Sequence, residues 1–229
     1  MLKLQGELIE ALFVGRLNRF AAEVAVSGQR ALAHLPNSGR LGELLYPGAR
    51  VRVAAQVGRR KTPYDLLLAW CGPQLVSIDA RLPGPLLEEA LRQGRLPELG
   101  PFDTLRREVP LGASRLDLLT EGPAGLCFIE AKSVTLVREG LALFPDAPTL
   151  RGLRHLRELQ RAARAGHRAA VVFVVQREDA EALRPHEEAD PVFAATLRSV
   201  YPAVELLAYR CHVNKGEVAI TRRIPVVLQ

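Results

Sequence analysis

The sequence predicts an α+β protein: a small β-barrel of the OB-like type over residues 1–80, followed by a mixed α/β domain over residues 81–229. Three observations carry that expectation. Residues 4–78 alternate short aliphatic and β-branched segments with turn residues at close spacing, the pattern of a small Greek-key barrel. After Arg81-Leu-Pro-Gly-Pro85 the order becomes helix, three strands, helix, strand, which suits a mixed sheet with helices packed on it. The 229 residues are 48% hydrophobic and 24% charged, enough to bury a core and too apolar for wholesale disorder.

In the first part the expected strands are 7–14, 19–26, 31–35, 50–57, 64–69 and 75–78. Ser27-Gly28, Pro36-Asn37-Ser38-Gly39, Pro47-Gly48, Gly58 and Gly72-Pro73 separate them as turn chemistry. In the second part a helix over 85–93 opens on Pro85 and stops at Gly94. Strands follow at 105–109, 114–120 and 126–132, and then a long helix over 149–165 ends just before Gly166. The apolar, β-branched run 169–175 reads as a strand buried on both faces, and 206–213 with 217–227 as a closing hairpin.

The net charge is +6, which suits an anionic partner. Residues 1–80 hold ten Arg and Lys against six Asp and Glu, so the first third carries most of the excess. Cys71, Cys127 and Cys211 are odd in number and widely spaced, which argues against a disulfide framework or zinc site and for a reducing compartment. With no apolar stretch near the ~18 residues of a membrane span, a soluble cytoplasmic protein is expected.

The chemistry concentrates in Ser114-Arg-Leu-Asp117 and Phe128-Ile-Glu130-Ala-Lys132. Alternation along a strand puts Glu130 and Lys132 on one face. A four-residue loop over 122–125, closed by Glu121 and Leu126, sets a register in which Asp117 stands directly opposite Glu130. Opposed residues have Cβ atoms roughly 4.5–5.5 Å apart. Two carboxylates that close, on apolar strands, call for a cation between them, and Mg²⁺ or Mn²⁺ suits oxygen donors. Lys132 then serves phosphodiester hydrolysis by stabilising charge or orienting water. The bland alternative is a structural salt-bridge cluster. Against it, only four of 31 basic residues are lysines, and one stands here.

The strings Arg115-Leu-Asp117, Phe128-Ile-Glu-Ala-Lys-Ser-Val-Thr-Leu136, Phe144-Pro-Asp-Ala147, His34-Leu-Pro-Asn-Ser-Gly39 and Leu206-Leu-Ala-Tyr209 resemble the sugar fermentation stimulation protein (SfsA) family, over nearly the whole chain. The resemblance implies an OB-like first domain, a nuclease-like second domain of the PD-(D/E)xK superfamily, and DNA binding with weak sequence preference. It maps the superfamily site onto Asp117, Glu130 and Lys132, with the helical acidic metal ligand at Glu89, or less readily Glu88. Ala80 and Gly84-Pro85 stand where relatives often carry Thr and Asn.

Outside that site, Arg16, Arg19 and Phe20 cluster at one expected turn and Arg59-Arg60-Lys61 at another, a combination suited to tracking a DNA backbone with a ring to stack on a base. The alternative makes Phe20 a core residue and the basic triplet a solubilising loop. On the long helix, Arg151, Arg154, Arg157, Arg161 and Arg164 share an arc of roughly 140°. His155 flanks that arc and is an auxiliary site candidate. Asp146 reads as a turn residue rather than a metal ligand. Two functions stay open: a metal-dependent deoxyribonuclease, or a DNA-binding regulator of sugar-utilisation genes whose nuclease-like site is silent.

Overall fold

The computed structural model describes residues 1–56 and 60–229. Strand β1 (Leu2–Lys3) comes first, and the barrel begins only after it with β2 (Leu8–Asn18), β3 (Ala21–Val26), β4 (Gln29–His34), β5 (Arg50–Ala55), β6 (Tyr64–Cys71) and β7 (Gln74–Ser77). The barrel strands run in the order β4-β3-β2-β5-β6, and a parallel β4–β6 pairing (Ala33 with Tyr64, His34 with Asp65) closes the ring at five. Closure removes the open edges that a five-stranded sheet would otherwise present. The period-two pattern explains the filling: Ala22 and Val24 on β3 point inward with Phe13, Val53 and Leu66, while the residues between them face outward.

The second domain comprises α1 (Pro83–Arg92), a 3₁₀ turn at Pro97–Leu99, β8 (Thr104–Leu111), β9 (Ser114–Gly122), β10 (Gly125–Val134), β11 (Val137–Arg138), β12 (Leu141–Phe144), α2 (Leu150–Arg164), β13 (Arg168–Val175), β14 (Ala182–Pro185), α3 (Pro191–Val200), β15 (Glu205–Val213) and β16 (Glu217–Ile224). Its main sheet runs β1-β16-β15-β13-β10-β9-β8, with β10, β13 and β15 parallel at the centre. On one face Leu86, Leu87 and Leu91 of α1 pack on Leu118, Ile129 and Val172. On the other, Leu156 and Leu159 of α2 and Phe193 of α3 pack on Leu116, Phe128 and Phe173. The strand β13 is buried from Ala169 to Val175 without alternation because both faces carry helices.

The expected helix, three-strand, helix, strand core is present. Two features depart from expectation. β1 pairs with β16 (Leu2 with Val218), so the first residues lie in the second domain's sheet. Sequence reading also missed α3 and the small sheet β11-β12-β14. The start of α3 had a readable signal, since Asp190 caps Phe193 N–H at 2.9 Å just before Pro191 at the first turn. No described helix is long and apolar enough to cross a membrane.

Polar contacts join the two domains. Gln176, fully buried, accepts from Ser77 Oγ at 2.9 Å and donates to Ser133 Oγ at 2.8 Å and to the Asp79 carbonyl at 3.1 Å. On the barrel side, Gly39 lies so close to Asp146 that any Cβ there would overlap its carboxylate.

Candidate functional site

β9 and β10 pair from Gly122–Gly125 to Leu118–Ile129, and then part, while β10 stays paired with β13 as far as Val134. The register is the expected one, although the loop is shorter than predicted because Gly122 and Gly125 themselves pair. The carboxylates sit in the fork. Leu116 belongs to the core under α2 and Leu118 to the core under α1, so β9 turns over at the residue between them. Across from it, Glu108 has φ of 52°, a left-handed conformation costly for a non-glycine residue. Asp117 thus turns to the α1 side, against Gly84, while Glu130 faces α2, so the two acids do not stand face to face on one side of the sheet as the sequence register implied. Asp117 Oδ2 turns toward β10 and accepts the Ala131 N–H at 2.7 Å, a donor left free by the parting strands.

Glu130 faces α2 and is 4% exposed. Its Oε1 accepts from Lys132 Nζ at 2.6 Å and from His155 Nδ1. Its Oε2 is buried and has no hydrogen-bond partner among the described residues. His155, 1% exposed, also receives Arg151 Nε on its Nε2 at 3.4 Å, which leaves the proton on Nδ1 for Glu130. The auxiliary histidine of the sequence reading is thus part of the cluster. Lys132 Nζ lies 3.3 Å from His155 Nδ1, so the ammonium touches both neighbours.

The two carboxyls titrate in opposite directions. Burial, then the neighbouring Glu130 charge, pushes Asp117 up to about 6, against the pull of the Ala131 N–H and Lys132. For Glu130 burial also raises the value, but Lys132 and His155 together outweigh it and hold the carboxyl below its ordinary range.

The helical acid expected at Glu89 is not brought to this pair. Glu89 Oε1 lies 2.5 Å from the Met1 ammonium and 3.2 Å from Gln93 Nε2. Glu88 is held by Arg92 at 3.0 Å and by Arg107 at 3.5 Å. Among the described residues no three His, Cys, Asp or Glu side chains group closely enough to hold a metal. What α1 offers Asp117 instead is Gly84, where a Cβ would lie 3.8 Å from Oδ1. A cleft of about 330 Å³ opens there, lined by Arg81, Gly84, Arg107, Glu108, Asp117 and Ala131. Sequence reading did not single out Arg81, Arg107 or Glu108, whose relevance depends on the fork.

Of the expected DNA-contact residues, Arg16 is committed elsewhere. It donates to the carbonyls of Asn18, Arg19, Asn37, Gly39 and Arg40, one for each of its five N–H groups, and so braces the Asn37-Ser38-Gly39 turn. Arg19 lies over the Phe20 ring at 5.7 Å, and that ring is 50% exposed rather than core. Arg60 approaches Asp65 Oδ1 at 3.5 Å, Lys61 is exposed, and Arg59 lies outside the described residues. The five α2 arginines are exposed and opposite buried Leu153, Leu156 and Leu159, as the periodicity predicts. A second cation–ring pair, Arg50 over Trp70 at 5.2 Å, went unread because its members are twenty residues apart.

Two family models divide the chain between them. The SfsA N-terminal OB domain matches residues 14–78, and the sugar fermentation stimulation protein RE domain matches residues 81–217. The chain belongs to the sugar fermentation stimulation protein family. Family homologues that it resembles include one from Moorella thermoacetica, 47% identical over the full length of both chains. Another, from Desulforamulus reducens, is 45% identical over 97% of this chain and 93% of its own. The solved structure of Pyrococcus furiosus SfsA in complex with Ca²⁺ superposes with a TM-score of 0.91 at 33% identity, covering 99% of this chain and 100% of that one. The OB barrel and mixed α/β domain are thus the SfsA architecture, with the carboxylate fork inside its RE domain.

Proposed function

We propose that the chain binds DNA through the phosphate backbone and that Asp117, Glu130 and Lys132 form a divalent-metal-dependent site for phosphodiester hydrolysis. The observation that carries the reading is Glu130 Oε2, a buried carboxylate oxygen with no hydrogen-bond partner among the described residues, in a fork beside the half-buried Asp117 carboxyl. A buried acceptor left unmade costs roughly 1–3 kcal/mol. A hard cation removes that cost, and it removes the Glu130 repulsion that adds to burial in raising Asp117. The donor set fits: Asp117 and Glu130 would hold the ion, with the Ala131 carbonyl as the third donor that the superfamily resemblance implies. Bound Mg²⁺ or Mn²⁺ supplies an activated water and neutralises developing phosphate charge.

The chain's own residues do the rest. His155 and Lys132 hold Oε1 of Glu130 and so orient its free oxygen. Lys132 adds a positive charge beside the fork, where charge on a phosphate in flight would be stabilised. The exposed α2 arginines and the Arg19–Phe20 pair offer phosphate contacts and one stacking ring. The Ca²⁺ complex of the P. furiosus relative supports an oxygen-donor cation site in this fold.

A second reading, a DNA-binding regulator without turnover, is favoured by one feature: Lys132 and His155 already neutralise Glu130 from within. Plasmid and single-stranded DNA incubated with Mg²⁺, Mn²⁺ or EDTA separates the two. Metal-dependent cleavage by the wild type and not by Lys132→Ala supports hydrolysis; retention on a gel without cleavage under any metal refutes it.

A further inference from the structure

A second cleft, of about 400 Å³, lies between the barrel and α1. Its floor is Asp65, 4% exposed, at the point where β6 closes the barrel against β4. Asp65 Oδ2 takes Arg81 Nη2 at 3.3 Å, but Oδ1 is buried and no donor among the described residues hydrogen-bonds to it. Arg60 Nη1, at 3.5 Å, supplies charge there without a hydrogen bond. The neighbouring Asp79 does not share this deficit, because Arg81 grips it at 2.8 and 2.7 Å.

Each wall of this cleft asks for something different. Oδ1 needs a hydrogen-bond donor, since a lone buried acceptor is disfavoured. Leu2, Leu4, Leu67 and Leu82 offer apolar surface for a flat ring. Lys3 and Arg60 at the mouth are exposed cations that suit an anion. The cleft also shares Arg81 and Pro85 with the cleft over Asp117, so the two adjoin across the Ala80–Pro85 segment.

We infer that this cleft is a nucleotide pocket, in which the base edge donates to Asp65 Oδ1 and the phosphate meets Lys3 and Arg60. It receives an unpaired nucleotide of the strand whose backbone crosses the Asp117 fork. The inference rests on the phosphodiesterase reading for the identity of the strand, but its test needs neither metal nor cleavage.

The test is calorimetric titration, in EDTA, of the four deoxynucleoside 5′-monophosphates, inorganic phosphate and a hexose phosphate. At least one nucleotide is expected to bind roughly tenfold more tightly than either control, with Asp65→Ala losing about tenfold, the worth of one charged hydrogen bond. Lys3→Ala, at an exposed residue, weakens nucleotide binding several-fold and keeps the test alive if Asp65→Ala fails to fold. No nucleotide binding, equal or tighter binding of the hexose phosphate, or indifference to both cleft substitutions overturns the pocket. Metal-dependent cleavage without nucleotide binding removes this inference alone; nucleotide binding at Asp65 without cleavage removes the hydrolytic reading alone.

Discussion

Asp117→Asn is expected to stabilise the metal-free protein above neutral pH while abolishing metal binding. The rise of the Asp117 carboxyl from 3.8 to about 6 means that its ionised form is disfavoured in the folded state. That rise corresponds to ~3 kcal/mol, and partial solvation of the cleft reduces it to ~2 kcal/mol. Asparagine keeps an oxygen to accept the Ala131 N–H and carries no charge to repel Glu130. The sign follows from linkage. Below pH 3.8 Asp117 is protonated folded and unfolded, so it exacts no penalty; the penalty grows between 3.8 and about 6 and is complete above that. The stabilising effect of Asn should therefore be near zero at pH 4 and full at pH 8. For a chain of this length ~2 kcal/mol corresponds to about 4–8 °C in Tm. Thermal melts in EDTA across that pH range provide the measurement, repeated with Mn²⁺. Added Mn²⁺ should raise the wild-type Tm and leave the variant unmoved, because only the ionised carboxylate binds it. An asparagine variant less stable than wild type at pH 8 without metal would refute the claim that this carboxyl is held in a hostile environment.

Three further outcomes are expected. Lys132→Ala should lower metal-dependent DNA cleavage by at least ~100-fold, the scale of losing one electrostatic stabiliser, without changing retention of DNA on a gel. Arg16→Ala removes five hydrogen bonds to main-chain carbonyls and should cost ~2–4 kcal/mol in chemical denaturation, with DNA affinity little altered where the protein remains folded. Replacing exposed Arg157 and Arg164 together by Ala should reduce the slope of log affinity for duplex DNA against log salt by ~2, as read by anisotropy titration; an unchanged slope would take the α2 face out of the interface.

How much of this was legible depended on whether periodicity or chemistry had to be read. The barrel strands followed from alternation and turn residues, and β13 from its unbroken apolar run. The register of β9 against β10 followed from the turn residues, and it brought the acids to the same strand ends. The rotation at Asp117 was invisible, because Leu116 and Leu118 are the same residue type and nothing in Glu108 announces a left-handed backbone. Arg16 was misread for a related reason: a guanidinium has the same letter whether it meets phosphates or a loop of carbonyls. Glu89 was placed on the correct helix, but its partner is the chain's first residue, a contact of high sequence separation that no local pattern carries. Strands of two to four residues such as β11, β12 and β14 are too short for alternation to register at all.

The pairing of Leu2–Lys3 with Glu217–Val218 makes the RE domain discontinuous: the barrel is an insertion between one tiny strand and the remainder. Excising residues 81–229 as a fragment would bare part of the outer rim of β16 and leave Glu89 without the ammonium that faces it. An uncapped rim of that kind recruits other chains. A soluble RE-domain fragment is therefore better sought by circular permutation, with the opening segment carried over to follow residue 229, than by trimming at the apparent domain border.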